Sequence, residues 1–171
     1  MDTIPLQAPD GIKDIIAHYG DPGIQIENGT WTVSGAWEYA NCTTIQHALL
    51  PLGKLYVHRF IAQPTLSVLD RWLARIKAGD PYKLRTMGCF CPRAQRGSAG
   101  IVMSLHTLAI AWDVNADTNR LISPCAPQSA ERAQKDIPDA WIADARTEGF
   151  FWGGDFERRF DPMHFQLATG A

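Results

Sequence analysis

Residues 104–114 read Ser-Leu-His-Thr-Leu-Ala-Ile-Ala-Trp-Asp-Val. From Thr107 to Val114, bulky and small side chains alternate, which is the period-two pattern of a β-strand. Leu108, Ile110 and Trp112 are the bulky set, and Ala109, Ala111 and Asp113 are the small or polar set. Asp113 lies on the small-residue face, where a ligand could approach. In a regular strand, His106 would point to the opposite face. The two side chains can therefore meet at one ion only if the chain bends or bulges just after His106.

A second short stretch, Asp161-Pro162-Met163-His164, lies near the C-terminus. Together the two stretches supply two imidazoles and two carboxylates, which is the inventory of a catalytic zinc site. Such a site uses three nitrogen or oxygen ligands from the protein and keeps a fourth position open. His106, Asp113 and His164 can fill those three positions, which leaves Asp161 as the base.

Four further elements are predicted from apolar periodicity and from the positions of Gly and Pro. They are an amphipathic helix over Ile12–Tyr19, a strand over Lys54–His58, a helix from Pro64 to Gly79 with Leu66, Leu69, Leu73 and Ile76 on one face, and a short helix from Pro138 to about Arg146. The stretch from Gly88 to Gly100 is rich in Gly, Pro, Arg and Ser, and we expect a loop there. Gly153 and Gly154 are interpreted as residues that permit tight backbone turns.

The 171 residues, 46% of them hydrophobic and 20% charged, are enough for one well-buried core and predict a single domain over residues 1–171. A net charge of −2 without a basic run argues against nucleic-acid binding. No apolar run approaches the roughly 18 residues of a membrane span. Met1–Pro5 lacks the pattern of a secretory signal, so we expect synthesis in the cytoplasm without a signal peptide.

The four cysteines are expected to be reduced thiols, because four is few for a disulfide-framed domain of this length. A second metal site at Cys89 and Cys91 is the less favoured interpretation, since their C-x-C spacing has no matching second pair. His18, His47 and His58 are interpreted as structural or surface residues.

Two gapped motifs in this chain resemble a known family. The first is S-x-H-x-x-x-x-A-x-D over Ser104–Asp113, and the second is G-F-x-W-G-G-D-F followed by D-x-M-H-F over Gly149–Phe165. Their order is similar to that in the zinc D-alanyl-D-alanine carboxypeptidases and L-alanyl-D-glutamate endopeptidases of bacterial walls and phage lysins. The resemblance covers residues 88–166, and residues 1–45 are expected to form an N-terminal extension packed on that core. Ala109 departs from the family, which usually has Gly there.

The resemblance implies an α+β fold, with helices packed on a small, mainly antiparallel sheet that carries a zinc site. It implies that zinc is bound by His106, Asp113 and His164 and that Asp161 is the catalytic base and acid. Further roles are expected for residues around these four. Arg93 would bind the substrate carbonyl or oxyanion, with Arg96 the less favoured candidate for this role. Ser104 would contact a substrate carboxylate, as in carboxypeptidase members. Trp152 would be a wall of the substrate cleft or part of the core, and Asp155 would hydrogen-bond a ligand histidine.

The function implied by the resemblance is zinc-dependent hydrolysis of peptidoglycan stem peptides. The Trp-Gly-Gly-Asp-Phe segment favours an L-alanyl-D-glutamate endopeptidase of the phage endolysin type, which would act on the wall after release. A D-alanyl-D-alanine carboxypeptidase is the close alternative. A catalytically silent zinc-binding module is the alternative from another class. The protein is expected to be a monomer without a nucleic-acid or membrane partner.

Overall fold

The computed structural model describes residues 8–96 and 102–169. The predicted loop from Gly88 to Gly100 is thus described only as far as Arg96, and Met1–Pro5 lies outside the described residues. Within the described ranges the chain forms helices α1 (Gly11–Tyr19), α2 (Gly35–Asn41), α3 (Arg59–Lys77) and α4 (Asp139–Thr147). Its strands are β1 (Gln25–Glu27), β2 (Thr30–Thr32), β3 (Cys42–Gln46), β4 (Lys54–His58), β5 (Met87–Gly88), β6 (Ala111–Val114), β7 (Phe151–Trp152) and β8 (His164–Gln166). Three short 3-10 helices lie at Leu105–Leu108, Ala130–Ala133 and Gly153–Asp155.

The strands pair in three antiparallel groups. β1 pairs with β2, β3 pairs with β4, and the remaining four form a sheet in the order β5-β6-β8-β7. The α+β prediction, with helices around small antiparallel sheets, is confirmed. The predicted strand at Lys54–His58 has the bounds of β4, and the helix predicted from Ile12 differs from α1 by one residue.

Aromatic side chains form the core behind the four-stranded sheet. Trp112 of β6 stacks on Phe165 of β8 with ring centroids 4.4 Å apart, and Trp72 of α3 meets Trp112 edge-on at 5.6 Å. Trp72 in turn stacks on Trp141 of α4 and donates its indole N–H to the Trp141 carbonyl oxygen at 3.1 Å. All four side chains are fully buried. Large aromatic groups contribute much of the apolar area that stabilises a core, so this cluster fixes α3 and α4 against the sheet.

Helix α3 begins earlier than its sequence suggests. The predicted start was Pro64, but α3 starts at Arg59 and includes this proline in its second turn, where it costs one helical hydrogen bond. His58 stabilises the earlier start because its side chain accepts a hydrogen bond from the Phe60 N–H. The buried face also differs from the prediction: it consists of Ile61, Thr65, Val68, Leu69 and Trp72.

His58 is a buried histidine with both ring nitrogens bonded. Nδ1 accepts from the Phe60 N–H at 3.2 Å, which leaves Nε2–H to donate to the Tyr19 carbonyl oxygen at 3.2 Å. This arrangement agrees with the structural role predicted for His58. Burial lowers the pKa of His58 from 6.5 to about 4, and the nearby His18 and Arg59 act in the same direction.

The His58 pKa predicts a loss of stability in mild acid. The unfolded chain takes up a proton near pH 6.5 but the folded chain only near pH 4, so the free energy of unfolding falls as the pH drops through that window. We expect His58 to contribute a loss on the order of 1–2 kcal/mol between pH 7 and pH 5. Urea unfolding at both pH values checks this. His58→Asn keeps a side-chain acceptor for the Phe60 N–H but removes the titrating group. The free energy of unfolding should therefore depend less on pH in this variant. An equally steep dependence in His58→Asn would contradict the assignment.

Candidate metal centre

Three side chains from the two sequence motifs meet at one point beside β6. Asp113 Oδ1 lies 3.3 Å from His106 Nε2 and 3.0 Å from His164 Nδ1. One ligand atom from each residue falls within 4.8 Å of the others. Asp113 and His164 meet because they are cross-strand partners in the β6-β8 pair. The cluster therefore has the composition and compactness of a metal site.

His106 reaches the cluster because the backbone turns sharply after it. Leu105–Leu108 is a 3-10 helix, and Ala109 then adopts a left-handed conformation with φ of 54° before β6 begins at Ala111. The predicted bend after His106 is confirmed. The strand predicted over Thr107–Val114 is wrong in its first half, because only Ala111–Val114 forms a strand. An L-residue in this conformation costs roughly 1–2 kcal/mol, which gives a physical reason for the glycine usual in the family at the position of Ala109.

The outer nitrogen of each histidine faces an oxygen. His106 Nδ1 lies 2.7 Å from the Cys89 carbonyl oxygen, and His164 Nε2 lies 2.9 Å from Gln166 Oε1. The Gln166 amide nitrogen donates to the Ala168 carbonyl oxygen at 2.8 Å, which fixes the direction of this amide. Both oxygens are acceptors, so each outer nitrogen must be the one that carries hydrogen. In the neutral rings, His106 Nε2 and His164 Nδ1 then point lone pairs toward Asp113.

In the neutral rings two nitrogen lone pairs and a carboxylate thus converge, whereas a protonated His164 donates from Nδ1 to Asp113 Oδ1 at 3.0 Å. Within the described ranges, the buried His106 Nε2 has no hydrogen-bond partner, because its contact with Asp113 lacks hydrogen-bond geometry. A buried acceptor without a partner is costly, whereas a divalent cation would satisfy all three groups at once. The residues present therefore fit a metal ion.

The electrostatics of the cluster agree with this fit. Burial alone would raise the pKa of Asp113, but the adjacent His106 and His164 hold it well below its usual range. Burial would lower the pKa of His164, yet Asp113 more than offsets this and raises it. The Asp113 carboxylate is therefore ionised at neutral pH and favours positive charge at this point.

Asp161 lies in the same cleft as the three ligand candidates. Its carbonyl oxygen accepts from the His164 N–H at 3.0 Å, and its N–H donates to the Gly153 carbonyl oxygen at 3.1 Å. Oδ1 is buried and has no hydrogen-bond partner among the described residues. Burial raises the pKa of Asp161 above its ordinary value. This carboxylate can consequently accept a proton from a group that enters the cleft.

The glycines after Trp152 provide space rather than special backbone angles. A Cβ on Gly153 would lie 2.6 Å from the Asp161 carbonyl oxygen, and one on Gly154 would lie 2.1 Å from the Trp152 ring. The chain does turn tightly here, in the 3-10 helix Gly153–Asp155, but neither glycine has a positive φ. Because Gly153 has no side chain, its backbone can pack closely against the turn from Asp161 to His164.

The remaining predicted site residues divide into two groups. Arg93, Arg96 and Ser104 line the cleft. Trp152 does not line it: the ring is buried against Phe160, and its N–H donates to the Pro162 carbonyl oxygen at 2.9 Å. Trp152 therefore supports the turn that holds Asp161.

The structure corrects the role predicted for Asp155. Its side chain is half exposed and forms an ion pair with Arg146 rather than a bond to a histidine. Gln166 and the Cys89 carbonyl oxygen hold the histidines instead. Gln166 was identifiable in principle, because it lies two residues after His164 and therefore on the same face of the strand. Sequence analysis also missed Gln95 and Arg159, both of which line the cleft.

Loss of the Gln166 oxygen should weaken metal binding. Gln166→Leu removes the acceptor that orients His164, and groups of this kind typically change metal affinity about 10- to 100-fold. Competition with a chromophoric chelator measures the affinity directly. Gln166→Glu retains an acceptor and should bind zinc nearly as the wild type does, and Gln63→Leu, on the exposed side of α3, is the matched control. Unchanged affinity in Gln166→Leu would contradict the role.

Comparison with known proteins agrees with the geometry. Residues 96–167 match a family model described as D-alanyl-D-alanine carboxypeptidase. Neither the search of curated proteins nor the search of solved structures finds a match. Among the described residues, no helix has the length and apolar character needed to cross a membrane. The matched segment contains His106, Asp113, Asp161 and His164. Over this segment, which is less than half of the chain, the protein is similar to the D-alanyl-D-alanine carboxypeptidase family.

Proposed function

We propose that the protein is a zinc-dependent peptidase that hydrolyses peptidoglycan stem peptides, and that it is an L-alanyl-D-glutamate endopeptidase of the phage endolysin type. The observation that carries the proposal is the convergence of two imidazole lone pairs and a carboxylate in a cleft that also holds the unpaired Asp161 oxygen. Two nitrogens and one oxygen form a donor set that suits zinc. The family match supports the same class of reaction.

In this mechanism the chain's own residues transfer the proton and stabilise charge. A bound zinc ion would lower the pKa of water and polarise the scissile carbonyl. Asp161 accepts the proton of the attacking water and later returns it to the leaving amine. Arg93 faces the oxygen on which negative charge develops, since fixed positive charge in such a cleft stabilises the transition state. Ser104 binds the substrate beside it.

The bond cleaved is the finer part of the proposal. The Trp152-Gly153-Gly154-Asp155-Phe156 segment resembles the endopeptidase branch, whereas the description of the matched family names a carboxypeptidase. We favour the endopeptidase, acting as a monomer on the wall after release. Mass spectrometry of defined muropeptides distinguishes the two. Free D-alanine together with intact L-Ala-D-Glu bonds would refute the favoured assignment in favour of the carboxypeptidase.

Asp161→Asn tests whether the site is catalytic or only binds metal. The amide keeps the size of the side chain but cannot accept the proton, so kcat should fall about 10²- to 10⁴-fold. Zinc affinity should change little, because the three ligand candidates remain. Release of muropeptide fragments and metal content are measured on the same preparation. Full activity with bound zinc would exclude Asp161 as the base, and the absence of hydrolysis in the zinc-loaded wild type would favour the silent metal-binding module.

A further inference from the structure

A third arginine lines the cleft, and neither the proposed mechanism nor the sequence motifs use it. Arg159 lies two residues before Asp161, and its guanidinium carbon lies 4.3 Å from the centroid of the Phe156 ring. Among the described residues, no carboxylate forms an ion pair with this guanidinium. Arg159 also lowers the pKa of the Asp161 carboxylate, but the two groups form no ion pair, so the guanidinium can still bind an anion from outside the chain.

The support for Arg159 is rigid and close to the metal ligands. The Arg132 side chain donates to the Phe156 carbonyl oxygen and, at 3.1 Å, to the Arg159 carbonyl oxygen, which fixes the loop at both residues. The Phe156 ring centroid lies 6.0 Å from that of His164. The Phe156 ring therefore contacts the Arg159 guanidinium and also lies close to one of the metal-ligand candidates.

The other two arginines of the cleft are less suited to this role. The Arg93 guanidinium donates to the Ala94 carbonyl oxygen at 3.3 Å, and Arg96 is exposed. Arg159 is half-buried, one face of its guanidinium lies over the Phe156 ring, and its N–H groups form no hydrogen bond with the part of the chain that the structure describes. Such edges match the two oxygens of a carboxylate.

We infer that Arg159, held by Phe156, binds the free α-carboxylate of the substrate residue that follows the scissile bond. The inference rests on the proposed function and deepens it by naming the substrate feature that is recognised. Both candidate bonds have this feature: D-glutamate linked through its side chain has a free α-carboxylate, and so has a C-terminal D-alanine. In each case the carboxylate is one carbon away from the amide nitrogen that becomes the leaving group.

The test compares each substrate with a partner in which an amide replaces this carboxylate. The pairs are muramoyl-L-Ala-D-Glu against its D-isoglutamine counterpart, and a stem pentapeptide against its C-terminal amide. The zinc-loaded wild type should prefer the carboxylate of the pair it cleaves by about 10- to 100-fold in kcat/KM, since a charge-assisted hydrogen bond is lost in the amide. In Arg159→Gln, kcat/KM for the carboxylate substrate should fall by most of this factor, whereas kcat/KM for the amide substrate should change little. The preference for the carboxylate should therefore disappear.

The controls separate this role from a general structural effect. Arg158→Gln changes an exposed neighbour on the same loop and should retain the wild-type preference. Arg159→Lys should recover part of it. An equal loss on both substrates in Arg159→Gln, or a preference that survives in that variant, would overturn the inference and leave the proposed function intact. If the zinc-loaded wild type cleaves neither pair, the proposed function fails, and the inference fails with it.

Discussion

The pairing of β6 with β8 is the constraint on which the rest of the molecule depends. Trp112 is opposite Phe165 in this pair, and the next residues, Asp113 and His164, are opposite each other. Since successive side chains of a strand point to opposite faces, one register buries the aromatic stack on the inner face and brings carboxylate and imidazole together on the outer face. A slip by one residue would expose the rings and separate the ligands. Core stability and site geometry thus have the same origin.

The elements with clear periodicity and strong boundary residues were predictable from sequence. The strand Lys54–His58 and the helix before Gly20 are examples. The region after His106 was harder, because the buried Leu108 and Ile110 fit a strand pattern as well as they fit a 3-10 helix followed by a left-handed residue. The start of α3 was obscured by Pro64, whose usual place is the first turn of a helix. Tertiary packing overrode these local signals.

The site residues that belong to the two sequence motifs were predictable. His106, Asp113, His164 and Asp161 follow from the two stretches, but the groups that orient them depend on contacts that spacing does not encode. Asp155 stands inside a motif and yet pairs with Arg146, whereas Cys89 contributes a backbone oxygen that no residue type reveals. Arg159 is conspicuous only once the Phe156 ring is seen beneath it.

The ligand candidates also connect distant parts of the chain. Asp113 and His164 are 51 residues apart in sequence, and a cation held by both would close that loop only when β6 and β8 are paired. An unfolded chain has no such preformed site, so binding free energy becomes folding free energy. Metal supply would then govern how long the polypeptide survives proteases, apart from any effect on turnover. Conditions that limit the supply of that metal would limit the lifetime of this protein as well.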